Sequence, residues 1–326
     1  MASKIQPIFI LAPMDDVTDT VFRRIVASCA KPDLFFTEFV NVDGLQSPGR
    51  EKLLPRLALI DEPYSVVAQI WGKNPDNFYK TTKDIIKMGF AGVDINFGCP
   101  IRNVVQNNTC SAMIKPENRD LAVEIIKAVQ KGAAGKIPVS VKTRLGFDKV
   151  DNSWHELLLQ QKLDMLSIHV RTVKEMSKVP AHWDELKAIV ALRDKISPST
   201  KIIINGDIPN YPKGLEVIKS TGADGAMIGR GIFADPYAFA KKSPWPEMTR
   251  NEKLSLFKKH IELFAKTWTH GERRFETIKK FVKIYTCGIE DASELRDKIM
   301  HCEGPDELFT LVSATIDADA AANSIG

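Results

Sequence analysis

Eight short apolar runs recur along the chain, and most are followed by a stretch of helical length. The runs cover residues 8–11, 34–37, 66–69, 93–96, 139–142, 166–169, 202–205 and 225–228. They are rich in Val, Ile, Leu and Phe without strict polar alternation, which is typical of parallel strands buried on both faces. Helical patterns lie between them, for example over residues 77–88, 119–131, 183–195 and 213–220.

Eight strands joined by helical crossovers predict a (β/α)8 TIM barrel, an α/β fold, that ends near Phe233. The alternative is a doubly wound open sheet, although that layout more often has five or six strands. The composition changes after Pro236, and residues 243–246 (Ser-Pro-Trp-Pro) are typical of a linker. We therefore predict two domains, with residues 1–240 forming the barrel and residues 241–326 forming a helical bundle.

The predicted bundle has four helices. Thr249 and Glu252 predict a capping box at the start of the first helix. Its apolar face would carry Leu254, Phe257, Ile261 and Phe264. A second helix would bury Phe275, Ile278, Val282 and Tyr285 and leave Arg273, Lys280 and Lys283 roughly opposite. Residues 291–294 would cap a third helix, and a fourth would begin after Pro305.

Charge is divided unevenly within this bundle. Residues 241–285 hold twelve Lys or Arg and five Glu, a net charge of +7, whereas residues 286–326 hold two Lys or Arg and nine Asp or Glu, a net charge of −7. One interpretation is an ordinary solvated face. The other is a basic pair of helices that contacts a phosphate backbone through Arg273 and Lys280.

Polar and reactive residues stand at the carboxyl end of every predicted strand. In a barrel this end is the active-site face, and random surface polarity would decorate both ends. In strand order these residues are Met14-Asp15, Glu38, Gln69, Asn96 with Cys99, Lys142 with Arg144, His169 with Arg171, Asn205 with Asp207, and Gly229-Arg230. Any one of them has a structural explanation, but their common position indicates a catalytic site.

Cys99 is the candidate reactive group at this face. Gly98 ends the preceding strand, and Pro100 biases Cys99 towards an extended conformation. A lone thiol in that position is either a reagent or a buried small hydrophobe. The five cysteines are an odd number without paired spacing, which argues against a disulfide framework and against a zinc or iron–sulfur site.

The last two strands point to a phosphate group. Gly206 follows the seventh strand, and Gly229-Arg230-Gly231 follows the eighth, where TIM barrels usually bind phosphate. Residues 132–136 resemble a phosphate loop but lack its first Gly and its Ser or Thr. The chain has no G-x-G-x-x-G, so a Rossmann dinucleotide site is not supported.

Composition adds only broad limits. Hydrophobic residues make up 44% and charged residues 26% of the chain, which describes an ordinary soluble protein. No apolar run approaches the ~18 residues of a membrane span, and no signal peptide is evident. We therefore expect a cytoplasmic protein with no membrane partner. The net charge of +4 is only weakly suggestive of an anionic partner.

Taken together, the motifs resemble those of the dihydrouridine synthases, flavin enzymes that reduce uridine in transfer RNA. The resemblance runs from Ala12-Pro13-Met14 into the C-terminal helices. Its other segments are residues 37–39 (Thr-Glu-Phe), Gln69, residues 94–100 (Asp-Ile-Asn-Phe-Gly-Cys-Pro), 141–146 (Val-Lys-Thr-Arg-Leu-Gly), 169–172 (His-Val-Arg-Thr), 205–207 (Asn-Gly-Asp) and 227–231 (Met-Ile-Gly-Arg-Gly).

Three positions depart from the family's pattern. Residues 106–111 (Gln-Asn-Asn-Thr-Cys-Ser) replace a Gly-rich run, Val170 stands where Gly is common, and His182 stands where an acidic or amide residue often precedes Trp183. The first change lies near the expected substrate mouth. It therefore bears on substrate position more than on flavin binding.

The resemblance implies FMN as the cofactor and NADPH as the reductant, both using one open face in turn. Gln69 and Lys142 would lie by the pyrimidine part of the flavin, with Pro13 and Met14 beside it and His169 close to it. The phosphate-side residues would be Asn205, Gly206, Asp207, Gly229 and Arg230. No metal is implied, and we expect a monomer.

The resemblance also assigns the substrate side. Cys99 would be the general acid that protonates C5 of uracil, because a thiol with the ordinary pKa of ~8.5 is mostly protonated at neutral pH. Asn96 and Arg171 would contact the uracil edge and a nearby phosphate, and transfer RNA would be the partner. The target base would have to leave its stack to enter the barrel.

Three other interpretations remain open. The first is a flavin barrel that acts on a free pyrimidine, like a dihydroorotate dehydrogenase, which would not need the basic helices. The second is a dihydrouridine synthase that acts on ribosomal RNA. The third is a non-catalytic RNA-binding protein, favoured only by the altered residues 106–111 and opposed by the presence of Cys99, Lys142 and His169.

Overall fold

Eight parallel strands close into a barrel in the computed structural model, which describes residues 6–289 and 291–325, with side chains as far as residue 319. The strands follow one another in chain order, and β1 pairs with β8 to close the barrel. They are β1 Ile8–Leu11, β2 Leu34–Asn41, β3 Val66–Trp71, β4 Gly92–Asn96, β5 Val139–Arg144, β6 Met165–His169, β7 Lys201–Asn205 and β8 Gly225–Ile228. The predicted TIM barrel is confirmed, and closure excludes the open sheet.

Helices connect the strands. Among the described residues the α-helices are α1 Thr20–Cys29, α2 Val42–Leu45, α3 Pro75–Lys87, α4 Arg102–Gln106, α5 Arg119–Ala133, α6 Asn152–Gln160, α7 Leu186–Ile196, α8 Tyr211–Thr221, α9 Gly231–Ala234, α10 Arg250–Thr267, α11 Glu276–Lys279, α12 Val282–Thr286, α13 Ala292–His301 and α14 Pro305–Ile325. Short 3-10 helices cover Arg50–Lys52, Leu54–Leu57, Cys110–Ile114, Pro116–Asn118, Trp183–Glu185 and Trp245–Glu247.

The predicted strands begin within one residue of the observed ones. Their ends differ more, since β2 continues to Asn41 and β5 to Arg144. A parallel ladder continues as long as a neighbouring strand accepts its hydrogen bonds, and this is a tertiary property. The predicted helix over residues 183–195 begins instead as a 3-10 turn before α7.

An apolar cluster lies within the barrel. Its members come from six strands and the residue after β1 and are Ile10, Ala12, Phe36, Val67, Met165, Ile203 and Met227. Successive residues of a strand point to opposite faces. Residues two or four positions further along therefore also face inwards, at the carboxyl ends of the strands. Gln69, His169 and Asn205 have this spacing.

The chain folds as two units. The first comprises Met1–Thr20 and Pro32–Gly229, and the second comprises Val21–Lys31 and Arg230–Gly326. This division differs from the predicted boundary at residue 240, because Phe22 of α1 stacks on Phe281 with ring centroids 4.8 Å apart. Sequence spacing gives no sign of that contact. Residues 1–5, 290 and 326 of the predicted domains lie outside the described residues.

The second unit is a helical bundle, as predicted. Thr249 and Glu252 form the capping box of α10, and the predicted apolar residues of this helix are buried. The predicted second helix is wrong as one element, since it divides into α11 and α12. Phe281 N–H donates to Ile278 C=O in a tighter turn between them, and Phe281 itself is buried.

The third and fourth bundle helices are confirmed as α13 and α14. The predicted cap of α13 is wrong, because Asp291 adopts a left-handed conformation with φ of 53° and its side chain makes no capping hydrogen bond. Within the described part of the chain, no helix is both long enough and apolar enough to cross a membrane.

Candidate active site

A series of buried hydrogen bonds joins β5, β4 and β3. Ser140 Oγ donates to Asp94 Oδ1 at 2.6 Å, and Gln69 Nε2 donates to Asp94 Oδ2 at 2.7 Å. Asn96 Nδ2 in turn donates to Gln69 Oε1 at 3.0 Å. Because each amide uses one end as donor and the other as acceptor, the orientations of both amides are fixed. Asp94 therefore anchors the predicted site residues Gln69 and Asn96.

The Asn96 end of this hydrogen-bond series holds the backbone at Cys99. Asn96 Oδ1 accepts hydrogen bonds from the backbone N–H groups of Gly98 and Cys99, each at 3.0 Å. On the other side, Arg144 Nε donates to Gly98 C=O at 2.8 Å. Cys99 is therefore fixed between an amide of β4 and a guanidinium of β5. Asn96 is almost fully buried, so in this structure its amide serves the loop, and its predicted contact with uracil stays a prediction.

The thiol of Cys99 is not an ordinary one. A hydrogen bond with the Cys110 side chain is the main cause that lowers the pKa of Cys99 to about 7, against the opposing effect of burial. A backbone hydrogen bond at Ile101 and the charge of Arg144 act in the same direction. The expected unperturbed pKa is wrong, because it rested on sequence neighbours alone, and Cys110 is distant in sequence.

Lys142 and Asp94 place opposite charges at the base of the mouth. Burial lowers the pKa of Lys142 to about 8, with Arg144 acting in the same direction and Asp94 opposing it. Burial raises the pKa of Asp94 to about 6, against its hydrogen bonds from Ser140 and Gln69. The two groups favour each other's charged form, since Lys142 lowers the pKa of Asp94 and Asp94 raises the pKa of Lys142. The site therefore holds a cation on β5 beside the loop that carries Cys99.

Hydrogen bonds and an ion pair join the loops after β6 and β7. Arg171 is 2% exposed, donates from Nε to Val179 C=O at 2.6 Å, and forms an ion pair with Asp207. Asp207 Oδ2 also accepts the backbone N–H of Ala181 at 3.0 Å, and Trp183 Nε1 donates to Gly206 C=O at 2.9 Å. Arg171 and Asp207 thus support the loops here, and their predicted substrate and cofactor contacts stay predictions.

The predicted phosphate-side residues of the first unit lie at or just after the ends of β7 and β8. Asn205 Nδ2 donates to Met227 C=O at 2.8 Å, which ties β7 to β8. Gly206 has φ of 124°, a conformation that side chains with a Cβ rarely adopt. His169 lies with Nε2 3.3 Å from a guanidinium nitrogen of Arg171.

The segment after β1 supplies Pro13 and Met14, both half-buried. Met14 N–H donates to Thr18 Oγ1 at 3.0 Å, and Met14 C=O accepts the N–H groups of Val17 and Thr18. A Cβ built at Gly229 would meet Ala12 at 3.5 Å and the Met14 sulfur at 3.9 Å, which are ordinary contacts. Gly229 therefore leaves room beside Met14 rather than filling a tight place.

Three predicted site residues belong to the second unit. Arg230 precedes α9 at its N-terminus, Arg273 lies over the Trp268 ring at 5.8 Å, and Lys280 is exposed between α11 and α12. The Arg273 contact buries part of the side chain. Of the two predicted RNA contacts, Arg273 packs on an aromatic ring and Lys280 is exposed to solvent.

Sequence reasoning assigned no individual role to Asp94, Ser140 or Arg144. Asp94 and Asn96 are two apart on one strand, and this spacing was the available signal, since it puts both on one face. Arg144 is buried and donates to Gly98 C=O, Thr172 C=O and Met176 C=O. It therefore joins the loops after β4 and β6.

Three carboxylates near the mouth share one cation. Asp15, Asp16 and Glu38 bring their oxygens within 4.8 Å of one another. Arg56 forms ion pairs with all three, at 3.0 Å to Asp16 and to Glu38. The guanidinium therefore compensates much of the charge of this group.

Curated proteins of similar sequence align with nearly the whole chain. A curated protein from Staphylococcus aureus (strain Mu50), "Probable tRNA-dihydrouridine synthase", is 45% identical over 321 residues, which are 96% of this chain and 95% of that protein. "Probable tRNA-dihydrouridine synthase 2" from Bacillus subtilis (strain 168) is 43% identical over 311 residues, 94% of this chain and 93% of that protein.

Solved structures share the fold at low sequence identity. Morphinone reductase matches with a TM-score of 0.52 and 11% identity over 71% of this chain and 84% of that chain. Histamine dehydrogenase from Rhizobium sp. 4-9 matches with a TM-score of 0.52 and 13% identity over 80% of this chain and 50% of that chain.

The sequence model of the family described as "Dihydrouridine synthase (Dus)" matches residues 10–323. The chain belongs to the dihydrouridine synthase family.

Proposed function

We propose that this protein reduces uridine to 5,6-dihydrouridine in transfer RNA, with FMN as cofactor and NADPH as reductant. The observation that carries the proposal is the position of Cys99, which Asn96 and Arg144 fix at the rim of a barrel mouth lined by Gln69, Lys142 and His169. Membership of the dihydrouridine synthase family and relatives named for transfer RNA support it.

Several features of the barrel mouth fit FMN. Ser167 Oγ, on β6 two residues before His169, is buried and lacks a hydrogen-bond partner among the described residues. Lys142 supplies a positive charge, which suits the charge of a reduced flavin ring. Gly206 and Gly229 keep the ends of β7 and β8 free of side chains. FMN carries a ring with hydrogen-bonding groups and a phosphate. It could therefore provide a hydrogen-bond partner for Ser167 and fill the space beside the two glycines.

We assign the cofactor contacts accordingly. Gln69 and Lys142 would hold the pyrimidine edge, with Pro13 and Met14 packing beside the ring and His169 close to it. Asn205, Gly206, Asp207, Gly229 and Arg230 would hold the phosphate side. When bound, FMN would supply the hydride for C6 of uracil from its N5.

Cys99 supplies the second half of the reduction. Its thiol holds a proton at Sγ and releases it to C5, while Asn96 and Arg144 keep the loop in place. The pKa of Cys99, lowered to about 7, is close to neutral pH, which suits a group that must both hold and release a proton. Arg273 and Lys280 would contact the RNA backbone. A free pyrimidine as substrate would leave the basic residues 241–285 without a role.

The first test is the cofactor itself. We expect the purified protein to be yellow and to release FMN on denaturation, as measured by absorbance and chromatography. Arg230→Ala should lower flavin affinity, because a charge-assisted phosphate contact contributes ~1.5–3 kcal/mol. Lys87→Ala is the charge-matched control, since Lys87 ends α3 at the face where β4 begins. A colourless protein that cannot be reconstituted with FMN contradicts the proposal.

The second test concerns the RNA contacts. Changing Arg273 and Lys280 to Ala should weaken transfer RNA binding, because each lost phosphate contact reduces the slope of log K against log salt by ~0.7–0.9. Binding is measured by fluorescence anisotropy at several salt concentrations. The matched control is the double variant Lys87→Ala and Lys219→Ala, which removes two exposed cations from the barrel helices. An unchanged slope means that the basic segment is merely solvated.

The nature of the RNA is tested separately. Dihydrouridine is mapped in transfer RNA and ribosomal RNA from cells with and without the protein. We expect the modification to disappear from transfer RNA alone, since the curated relatives at 45% and 43% identity carry transfer RNA in their names. Loss from ribosomal RNA would move the proposal to that substrate.

A further inference from the structure

The hydrogen-bond series from Ser140 to Asn96 has one direction. At its Asn96 end, Asn96 Oδ1 accepts the backbone N–H groups of Gly98 and Cys99, both at 3.0 Å, and a backbone N–H can only donate. The oxygen of Asn96 therefore has to face this loop, so its Nδ2 has to face Gln69. Gln69 must then receive that nitrogen through Oε1, as it does at 3.0 Å.

Asp94 fixes the same direction from the other end. Its Oδ2 accepts Gln69 Nε2 at 2.7 Å and its Oδ1 accepts Ser140 Oγ at 2.6 Å, so both oxygens act as acceptors. Gln69 and Asp94 are fully buried, where water cannot replace a mismatched partner. Burial raises the pKa of Asp94 to about 6, whereas its two hydrogen bonds and the charge of Lys142 favour the ionised form.

The direction of the series decides which hydrogen-bonding groups are left for a ligand. Asn96 Oδ1 uses both of its lone pairs and Gln69 Oε1 uses one, but each amide nitrogen uses only one of its two hydrogens on a partner among the described residues. Gln69 lies two residues after Val67, a member of the apolar cluster within the barrel, so it is on the inward face. The remaining capacity of the two amides is therefore mainly N–H donation.

We propose that Asp94 is a positioning residue that turns the amides of Gln69 and Asn96 so that each offers an N–H to a ligand carbonyl oxygen. The flavin ring and the uracil base both carry carbonyl groups. Gln69 would donate to the flavin and Asn96 to the uracil edge, whereas a ligand with amino groups at these places would set donors against donors. This ligand assignment rests on the proposed function, and the direction of the hydrogen-bond series does not.

The test exchanges donor and acceptor between two neighbouring side chains. Gln69→Glu puts a second carboxylate against Asp94, so it should lower the thermal unfolding midpoint of the full-length protein, measured by circular dichroism without added flavin. Asp94→Asn should have a smaller effect, because its amide oxygen can still face Gln69 while Ser140 Oγ accepts from its nitrogen. In the double variant the new amide donates to the new carboxylate, which also accepts from Asn96. Its midpoint should recover most of the loss, at unchanged net charge.

The matched control is the pair Gln46 and Asp84. Gln46 Nε2 donates to Asp84 Oδ2 at 3.3 Å, but both residues are half-buried, and Arg50 forms an ion pair with the same oxygen at 3.0 Å. The changes Gln46→Glu and Asp84→Asn, singly and together, should therefore move the midpoint little. If the double variant of Gln69 and Asp94 is no more stable than Gln69→Glu alone, the proposed direction is overturned.

Flavin affinity gives the readout for the ligand. The double variant of Gln69 and Asp94 keeps the hydrogen-bond series, but it has a carboxylate oxygen where Gln69 offers an N–H. Its affinity for FMN, measured by quenching of flavin fluorescence, should therefore stay about tenfold below wild type although its stability has recovered. Wild-type affinity in the recovered double variant overturns the carbonyl assignment. If the wild-type protein bound no FMN, the proposed function would fail, but the unfolding midpoints would still decide the direction of the series.

Discussion

Replacing Cys99 by Ala should slow the reduction of transfer RNA by ~10²–10⁴-fold, the usual effect of losing a positioned general acid. Flavin reduction by NADPH should stay close to the wild-type rate, because Cys99 lies on the loop after β4 and its assigned partner is the uracil ring. Both half-reactions are measured by anaerobic stopped-flow absorbance of the flavin, first with NADPH and then with RNA.

The control for this prediction is Cys287→Ser, which alters an exposed thiol of the second unit. Cys99→Ser adds a graded test, since a hydroxyl keeps the shape of the thiol but is a much weaker acid. If Cys99→Ala reduces uridine at the wild-type rate, the acid must be sought elsewhere. Cys110 is then the first candidate, because it is the thiol in contact with Cys99.

The acidity of Cys99 also fixes the sign of the pH dependence. A general acid works in its protonated form, and the pKa of Cys99 is lowered to about 7. RNA reduction should therefore fall as pH rises through 7, approaching tenfold per pH unit. The thiolate that forms on the same rise is an alkylation target, so loss of activity and gain of alkylation should share one midpoint.

Local signals were enough to predict the architecture. The apolar runs place every strand start within one residue, and Thr249 with Glu252 marks the start of α10. Such features depend on neighbours a few residues apart. The same reasoning brought Gln69, Lys142 and His169 to one face, because the carboxyl ends of parallel barrel strands meet there.

Contacts between distant residues could not be predicted in this way. The Cys99–Cys110 hydrogen bond depends on how the α4 segment reverses, and the place of α1 in the second unit depends on the stacking of Phe22 on Phe281. In the sequence, Asp94 is only the first residue of the motif at residues 94–100 and has no role of its own. Its role in orienting Gln69 emerged only when β3, β4 and β5 were placed side by side.

Removing the positive charge of Lys142 is the second change for which we expect a large effect on the reaction rates. Lys142 is a partly buried cation of β5, and its pKa of about 8, although lowered by burial, stays above neutral pH. Asp94 raises the pKa of Lys142, and its carboxylate also accepts hydrogen bonds from Ser140 and Gln69. A positive charge in such a partly buried site stabilises negative charge that develops nearby far better than it would in water.

Lys142→Met should therefore slow both half-reactions, by ~10²–10³-fold, the usual cost of removing one preorganised electrostatic group. This pattern differs from that of Cys99→Ala, which affects only the RNA step. Stopped-flow traces of NADPH-dependent flavin bleaching give the rate, and flavin absorbance per protein shows whether the site is still loaded. Lys115→Met is the matched control, because Lys115 packs over the Phe147 ring, 4.6 Å from its centroid, rather than on the barrel interior. Wild-type flavin reduction in a fully loaded Lys142→Met protein would place this cation away from the flavin and leave the charge of the reduced ring to another group.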